Sequence, residues 1–171
     1  MRPNVFIIMG VSATGKTTLG KALAEATEGS FFDGDDFHPE SNREKMSSGQ
    51  PLDDSDRKEW LERLADLSAE RSSDTTPTFI ACSALKKSYR DLLRSKCPEL
   101  VFVFLHTHEK ILRERIAERY ATGDHFMPPS MLDSQLETLE PPENAIELDA
   151  SKPIAELIAE FSATSSLNIV C

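Results

Sequence analysis

Long apolar runs are missing from this 171-residue chain. No stretch approaches the roughly 20 apolar residues that cross a bilayer, which excludes a spanning helix. The apolar N-terminal run is too short for a signal peptide and passes straight into a glycine motif, so a cytoplasmic location is expected. Cysteine is scarce and odd in number, with Cys82, Cys97 and Cys171 showing no Cys-x-x-Cys spacing. That gives no sign of a disulfide framework and fits a reducing compartment. Positive charge is also short, at 19 Lys+Arg against 29 Asp+Glu. A surface of that sign repels nucleic acid and anionic lipid, so neither is expected as a partner, and an anionic substrate needs a local cationic site.

Internal repeats and low-complexity segments are absent as well. The remaining composition, 39% hydrophobic and 28% charged, is that of a globular enzyme rather than a disordered chain. This length buries a sizeable core without a disulfide or structural metal, and one domain over 1–171 is expected.

Val5-Phe6-Ile7-Ile8-Met9, Thr78-Phe79-Ile80-Ala81-Cys82 and Leu100-Val101-Phe102-Val103-Phe104-Leu105 are uninterrupted apolar runs. Continuous rather than alternating hydrophobicity predicts strands buried on both faces of a parallel sheet. Shorter strands are expected at Phe31-Phe32-Asp33 and Ala145-Ile146-Glu147-Leu148. Between them lie helical stripes: Leu19, Ala22, Leu23, Ala26; then Trp60, Leu61, Leu64, Leu67 after Asp53-Asp54-Ser55; then Ile111, Leu112, Ile116 in a helix from Thr107; and Ile154, Leu157, Ile158, Phe161 after an N-cap at Ser151. Strand alternating with helix predicts a three-layer, doubly wound α/β sandwich around a parallel sheet of about five strands. Residues 37–52 and 120–129, polar and rich in turn residues, break the alternation. With the helix that follows the first, 37–72 is expected to form the substrate side, and 120–130 a short lid insert.

Gly10-Val11-Ser12-Ala13-Thr14-Gly15-Lys16-Thr17 matches G-x-x-x-x-G-K-[ST], directly after a buried strand and opening an amphipathic helix. In that context the glycines let loop amides, through Thr18, wrap phosphate oxygens. Lys16 reaches the β- and γ-phosphates of a nucleotide such as ATP, and the Thr17 hydroxyl ligates Mg²⁺. The bland alternative is an ordinary glycine-rich turn.

Asp33 and Asp35 lie two residues apart at the end of the second strand, with carboxylates on one side and beyond the carboxyl ends of the strands, where ligands collect in a parallel sheet. Asp33 is expected to orient Mg²⁺ through water and Asp35 to accept the proton of an attacking hydroxyl; capping the next turn is the alternative for each. Arg115 and Arg119, four apart on one helix, can neutralise charge on a transferring phosphoryl group, or simply pair with Glu114 and Glu118 on a solvated face. His106 and His108 lack accompanying ligands and read as a helix-capping neighbourhood rather than a metal pair. His38, Lys45, Arg57, Lys86 and Arg90 fall after strand ends or in the inserts. Some of them are expected to bind an anionic acceptor, although each alone reads equally well as a surface cation.

The chain resembles the gluconokinase family. The likeness runs through the P-loop, Asp33-Gly34-Asp35-Asp36-Phe37-His38-Pro39, Asn42, Glu44-Lys45-Met46, Gly49 to Leu52, Asp56-Arg57 and Trp60-Leu61. It continues through Cys82-Ser83-Ala84-Leu85-Lys86-Lys87, Tyr89-Arg90-Asp91, His125-Phe126-Met127-Pro128-Pro129 and Ser134-Gln135 to Pro142. The resemblance implies a nucleoside-monophosphate-kinase-like fold, Mg-ATP as donor, gluconate as acceptor, 6-phosphogluconate as product and commonly a homodimer; it adds His125 to the acceptor-binding set. Ser12-Ala13-Thr14 and the longer link Tyr120-Ala121-Thr122-Gly123-Asp124 depart from the family pattern. Rival readings are a shikimate-kinase-like enzyme, which is expected to carry Gly-Gly where this chain has Cys82-Ser83-Ala84, a nucleotide kinase, and a non-catalytic P-loop sensor.

Overall fold

A computed structural model describes residues 3–122 and 130–165. Strands β1 (Val5–Met9), β2 (Ser30–Asp33), β3 (Thr78–Ala81), β4 (Val101–His106) and β5 (Ala145–Asp149) form one sheet in the order β2-β3-β1-β4-β5. Every neighbouring pair is parallel, for example Ile7 beside Ile80 and Phe102, so the expected doubly wound sheet is present. Helices α1 (Lys16–Ala26), α2 (Glu40–Ser47), α3 (Asp54–Arg71), α4 (Lys87–Lys96), α5 (Glu109–Thr122), α6 (Ser130–Thr138) and α7 (Ile154–Ser165) make the connections.

The apolar runs are buried on both faces because successive side chains point to opposite cores. Ile7, Ile80, Phe102 and Phe104 pack with Trp60, Leu61 and Leu64 of α3 and Leu93 of α4. Phe6, Ile8, Phe79, Val103 and Leu105 pack with Leu19 and Leu23 of α1 and Leu157 and Phe161 of α7. A third, smaller cluster lies at the P-loop end, where Val11, Ala13 and Leu85 meet Leu112 and Ile116 of α5 and Leu132 of α6.

The differences from expectation are local. Residues 40–47 are helical rather than irregular: α2 buries only Asn42, so it carries no apolar stripe for sequence to reveal. Helices α4 and α6 add to those read from periodicity. Helix α5 begins at Glu109, with the His108 carbonyl accepting from Ile111 and Leu112, and α7 begins at Ile154. The polar start of α3 closes as a capping box, Asp53 accepting from the Asp56 amide while Asp56 accepts from the Asp53 amide.

Candidate active site

The P-loop leaves β1 through Gly10, whose φ of 144° suits only glycine; a Cβ there would lie 2.3 Å from the Leu105 carbonyl oxygen. Helix α1 then opens with no side-chain cap and no acidic residue in its first turn. Its free N–H groups and positive dipole end are left for an anion. The Lys16 Nζ rests on the Val11 carbonyl at 3.0 Å. Burial holds its pKa below the ordinary lysine value, against the opposing pull of Asp35, Cys82 and Asp33.

Beside this loop, β2 delivers Asp33. One of its carboxylate oxygens accepts from the Thr17 hydroxyl at 3.0 Å and the other from the Asp35 amide at 3.2 Å. A hydroxyl and a carboxylate, both hard oxygen donors, fit a Mg²⁺ site that relies further on phosphate and water. Among the described residues no cluster of three or more His, Cys, Asp or Glu is built to hold a metal by itself. The backbone passes tightly over β3 at Gly34, where a Cβ would meet the Ala81 carbonyl oxygen at 2.3 Å, and the Trp60 indole donates to the Gly34 carbonyl at 2.7 Å. This turn projects the Asp35 carboxylate, 87% exposed, toward the open side. Cys82 lies beneath, buried, with burial pushing its thiol up to about 12, which leaves it unreactive at neutral pH.

Arg115 does not pair with the glutamates of its own helix. Its guanidinium donates to the Ala13 carbonyl at 3.2 Å and the Ala150 carbonyl at 2.7 Å, tying the P-loop to the loop after β5. Arg119 lies close enough to Lys16 to depress the lysine pKa, and both arginines line a cleft of about 240 Å³ together with Thr14, Thr18, Ala150 and Lys152. Sequence reasoning missed the wall supplied by Ala150 and Lys152. The rule that ligands gather beyond the carboxyl ends of parallel strands pointed there, since β5 ends at Asp149.

The cations expected to meet the acceptor are held very differently. Lys45 meets Asp56 at 2.5 Å and Asp53 at 4.0 Å, and Lys86 meets both oxygens of Asp54 at 2.7 and 2.8 Å. Arg57 donates to the Tyr89 hydroxyl at 3.2 Å, and that hydroxyl donates in turn to Asp54. Two members of the set are not fixed charges open to a ligand. Arg90 is 5% exposed, and its Nη1 serves the Ala84 and Leu85 carbonyls at 2.9 and 3.0 Å, buttressing the loop that carries Lys86. His38 is buried and stacked on Trp60 at 4.3 Å; burial, then Arg57 and Arg43, lowers its pKa to about 4, so at neutral pH it is an uncharged imidazole. His125 and most of the expected lid lie outside the described residues.

Residues missed from sequence also include Tyr89 and Asp54, which link α3 to α4, and Gln135, which accepts from the Ser12 amide at 2.7 Å. Only their places in the family resemblance, or beside other polar residues, marked them out.

A family model described as an AAA domain matches residues 5–142. The thermosensitive gluconokinase of Escherichia coli strain K12 is 42% identical over 156 residues, 89% of this chain and 82% of that protein. The gluconokinase of Gluconobacter oxydans is 41% identical over 170 residues, 95% of this chain and 94% of that protein. Among solved structures, a gluconokinase from Sinorhizobium meliloti superposes with a TM-score of 0.83 at 44% identity, covering 97% of this chain and 94% of that one. With the P-loop, the Thr17–Asp33 pair and likeness over nearly its whole length, this chain belongs to the gluconokinase family.

Proposed function

We infer that this protein transfers the γ-phosphoryl group of ATP to D-gluconate, giving 6-phospho-D-gluconate and ADP. The observation that carries the reading is a P-loop kinase site in a chain that is 37–42% identical to gluconokinases along most of its length. Cys82-Ser83-Ala84 at the end of β3, in place of the expected Gly-Gly, argues against the shikimate-kinase-like reading. The exposed carboxylate beside Lys16 argues against a sensor, which needs no base next to an acceptor.

In this reading the P-loop amides other than those of Gly10 and Ser12, which serve the Ser83 carbonyl and Gln135, cradle the phosphates through Thr18, and the cleft lined by Arg115, Arg119 and Lys152 takes the nucleoside side of ATP. Thr17 and Asp33 would hold Mg²⁺, which when bound would supply neutralising charge to the phosphate oxygens. Lys16 and Arg119 add positive charge where it develops in transfer, while Arg115 fixes the cleft wall. The acceptor hydroxyl gives up its proton to Asp35 as it attacks in line. Lys45, Arg57 and Lys86 provide the positive ground for the acid's carboxylate, and neutral His38 orients a hydroxyl or shapes the wall.

The test is ADP release with Mg-ATP, offering gluconate, other aldonic acids, shikimate and nucleoside monophosphates separately. Gluconate-dependent ADP with 6-phosphogluconate as product, abolished in Lys16→Ala, is the expected result. Turnover with another acceptor alone would discard the substrate, and silence with all of them would discard the kinase.

A further inference from the structure

One peptide unit of the P-loop is gripped at both ends. Its carbonyl end, the Val11 oxygen, accepts from Lys16 Nζ at 3.0 Å and from the Thr14 hydroxyl at 2.9 Å. Its amide end, the Ser12 N–H, donates to Gln135 Oε1 at 2.7 Å, a bond that spans 123 residues of chain. In a planar trans peptide the C=O and N–H point in opposite directions, so whatever holds the N–H also aims the carbonyl. An N–H donor fixes which end of the carboxamide faces it, because only the side-chain oxygen can accept.

We propose that Gln135 is a positioning residue for phosphoryl transfer: by accepting from Ser12 it sets the plane of the Val11–Ser12 peptide, and thereby the carbonyl on which Lys16 rests. The seat is firm. Leu132, one turn before Gln135 on α6, is buried in the cluster with Val11, Ala13 and Leu85. Beyond the helix the Glu140 amide donates to the Leu85 carbonyl at 2.9 Å, and the Glu140 carboxylate accepts from the Lys87 amide at 2.5 Å. Helix α6 therefore touches the nucleotide loop and the loop carrying Lys86 at once, and Gln135 is the side chain that turns this contact into an orientation of the lysine's support.

The proposal rests on the kinase reading, and wild-type gluconate-dependent ADP release, measured in parallel on the full chain, reports on that reading separately. Gln135→Met keeps length and loses the acceptor; Gln135→Glu keeps an acceptor and adds a charge near the phosphates. Gln135→Met is expected to lower kcat about tenfold, the worth of one net hydrogen bond, with the gluconate KM unchanged. Gln135→Glu is expected to recover most of kcat while raising the ATP KM. Leu136→Ala, which trims the same helix's packing without touching Ser12, is the control for a merely structural role. The proposal is overturned if Gln135→Met retains kcat within twofold, if Gln135→Glu is as slow as Gln135→Met, or if Leu136→Ala with an equal fall in Tm loses as much kcat.

Discussion

The P-loop side and the proposed acceptor side of this protein both gather positive charge in an acidic chain, but they restrain it by opposite means. Around the P-loop, cations lean on backbone carbonyls: Lys16 on Val11, and Arg115 on Ala13 and Ala150. A neutral carbonyl positions a cation without cancelling its charge, so the field remains available to a polyanion. On the acceptor side, Lys45 and Lys86 lie against Asp56 and Asp54. There the charge is already answered, and a singly charged acid must compete with aspartates or share their partners. The difference suits a tetra-anionic donor that binds by charge and a polyhydroxy acid that binds by matching many hydrogen bonds.

Removing the exposed Asp35 carboxylate gives the largest expected effect. Asp35→Asn is predicted to lower kcat by about 10²–10⁴, the usual worth of a general base, with little change in ATP KM. The substitution is nearly isosteric and the side chain is exposed, so folding is not at stake. A near-normal kcat would move the base role elsewhere and leave Asp35 as a partner of the acceptor's hydroxyls.

The same contrast explains what was legible in the sequence. The P-loop works through glycines and backbone amides at fixed spacing, so its text reads off directly, as do the strands, whose burial on both faces leaves unbroken apolar runs. Helix α2 has no such signature, since its one buried side chain is the polar Asn42, which donates to the Asp56 carbonyl at 2.8 Å. The cations after the strand ends stand out in sequence as candidates, but their restraint is invisible there, because Lys86 and Asp54 are 32 residues apart. Arg90 was indistinguishable from Lys86 in sequence, and only burial separates a loop buttress from a cation at the surface.

His38 sharpens the comparison through pH. Its folded pKa of about 4 lies below the unfolded value of 6.5, so the unfolded chain binds the extra proton. The contribution is therefore fully present above pH 6.5 and declines as pH falls toward 4, by up to roughly 3 kcal/mol over the window. Denaturant unfolding followed from pH 7 to 4 is expected to show a steeper loss in the wild type than in His38→Gln. Parallel curves would mean that the imidazole stacked on Trp60 protonates without penalty.

The smallest effect tests whether the acceptor side is self-neutralised. Asp54 receives Lys86 and Tyr89, and these hydrogen bonds, Lys86 first, hold its carboxyl below the ordinary aspartate range. Asp54→Asn keeps the shape and removes the charge that answers Lys86. If Lys86 attracts the acid's carboxylate, the gluconate KM is expected to fall about two- to threefold at low ionic strength, with kcat unchanged and the gain lost in high salt, as exposed charge effects are. Lys86→Gln should then raise the same KM. A KM that rises in Asp54→Asn would instead place Asp54 among the groups that bind the acceptor's hydroxyls, and the aspartates of α3 would be recognition elements rather than competitors.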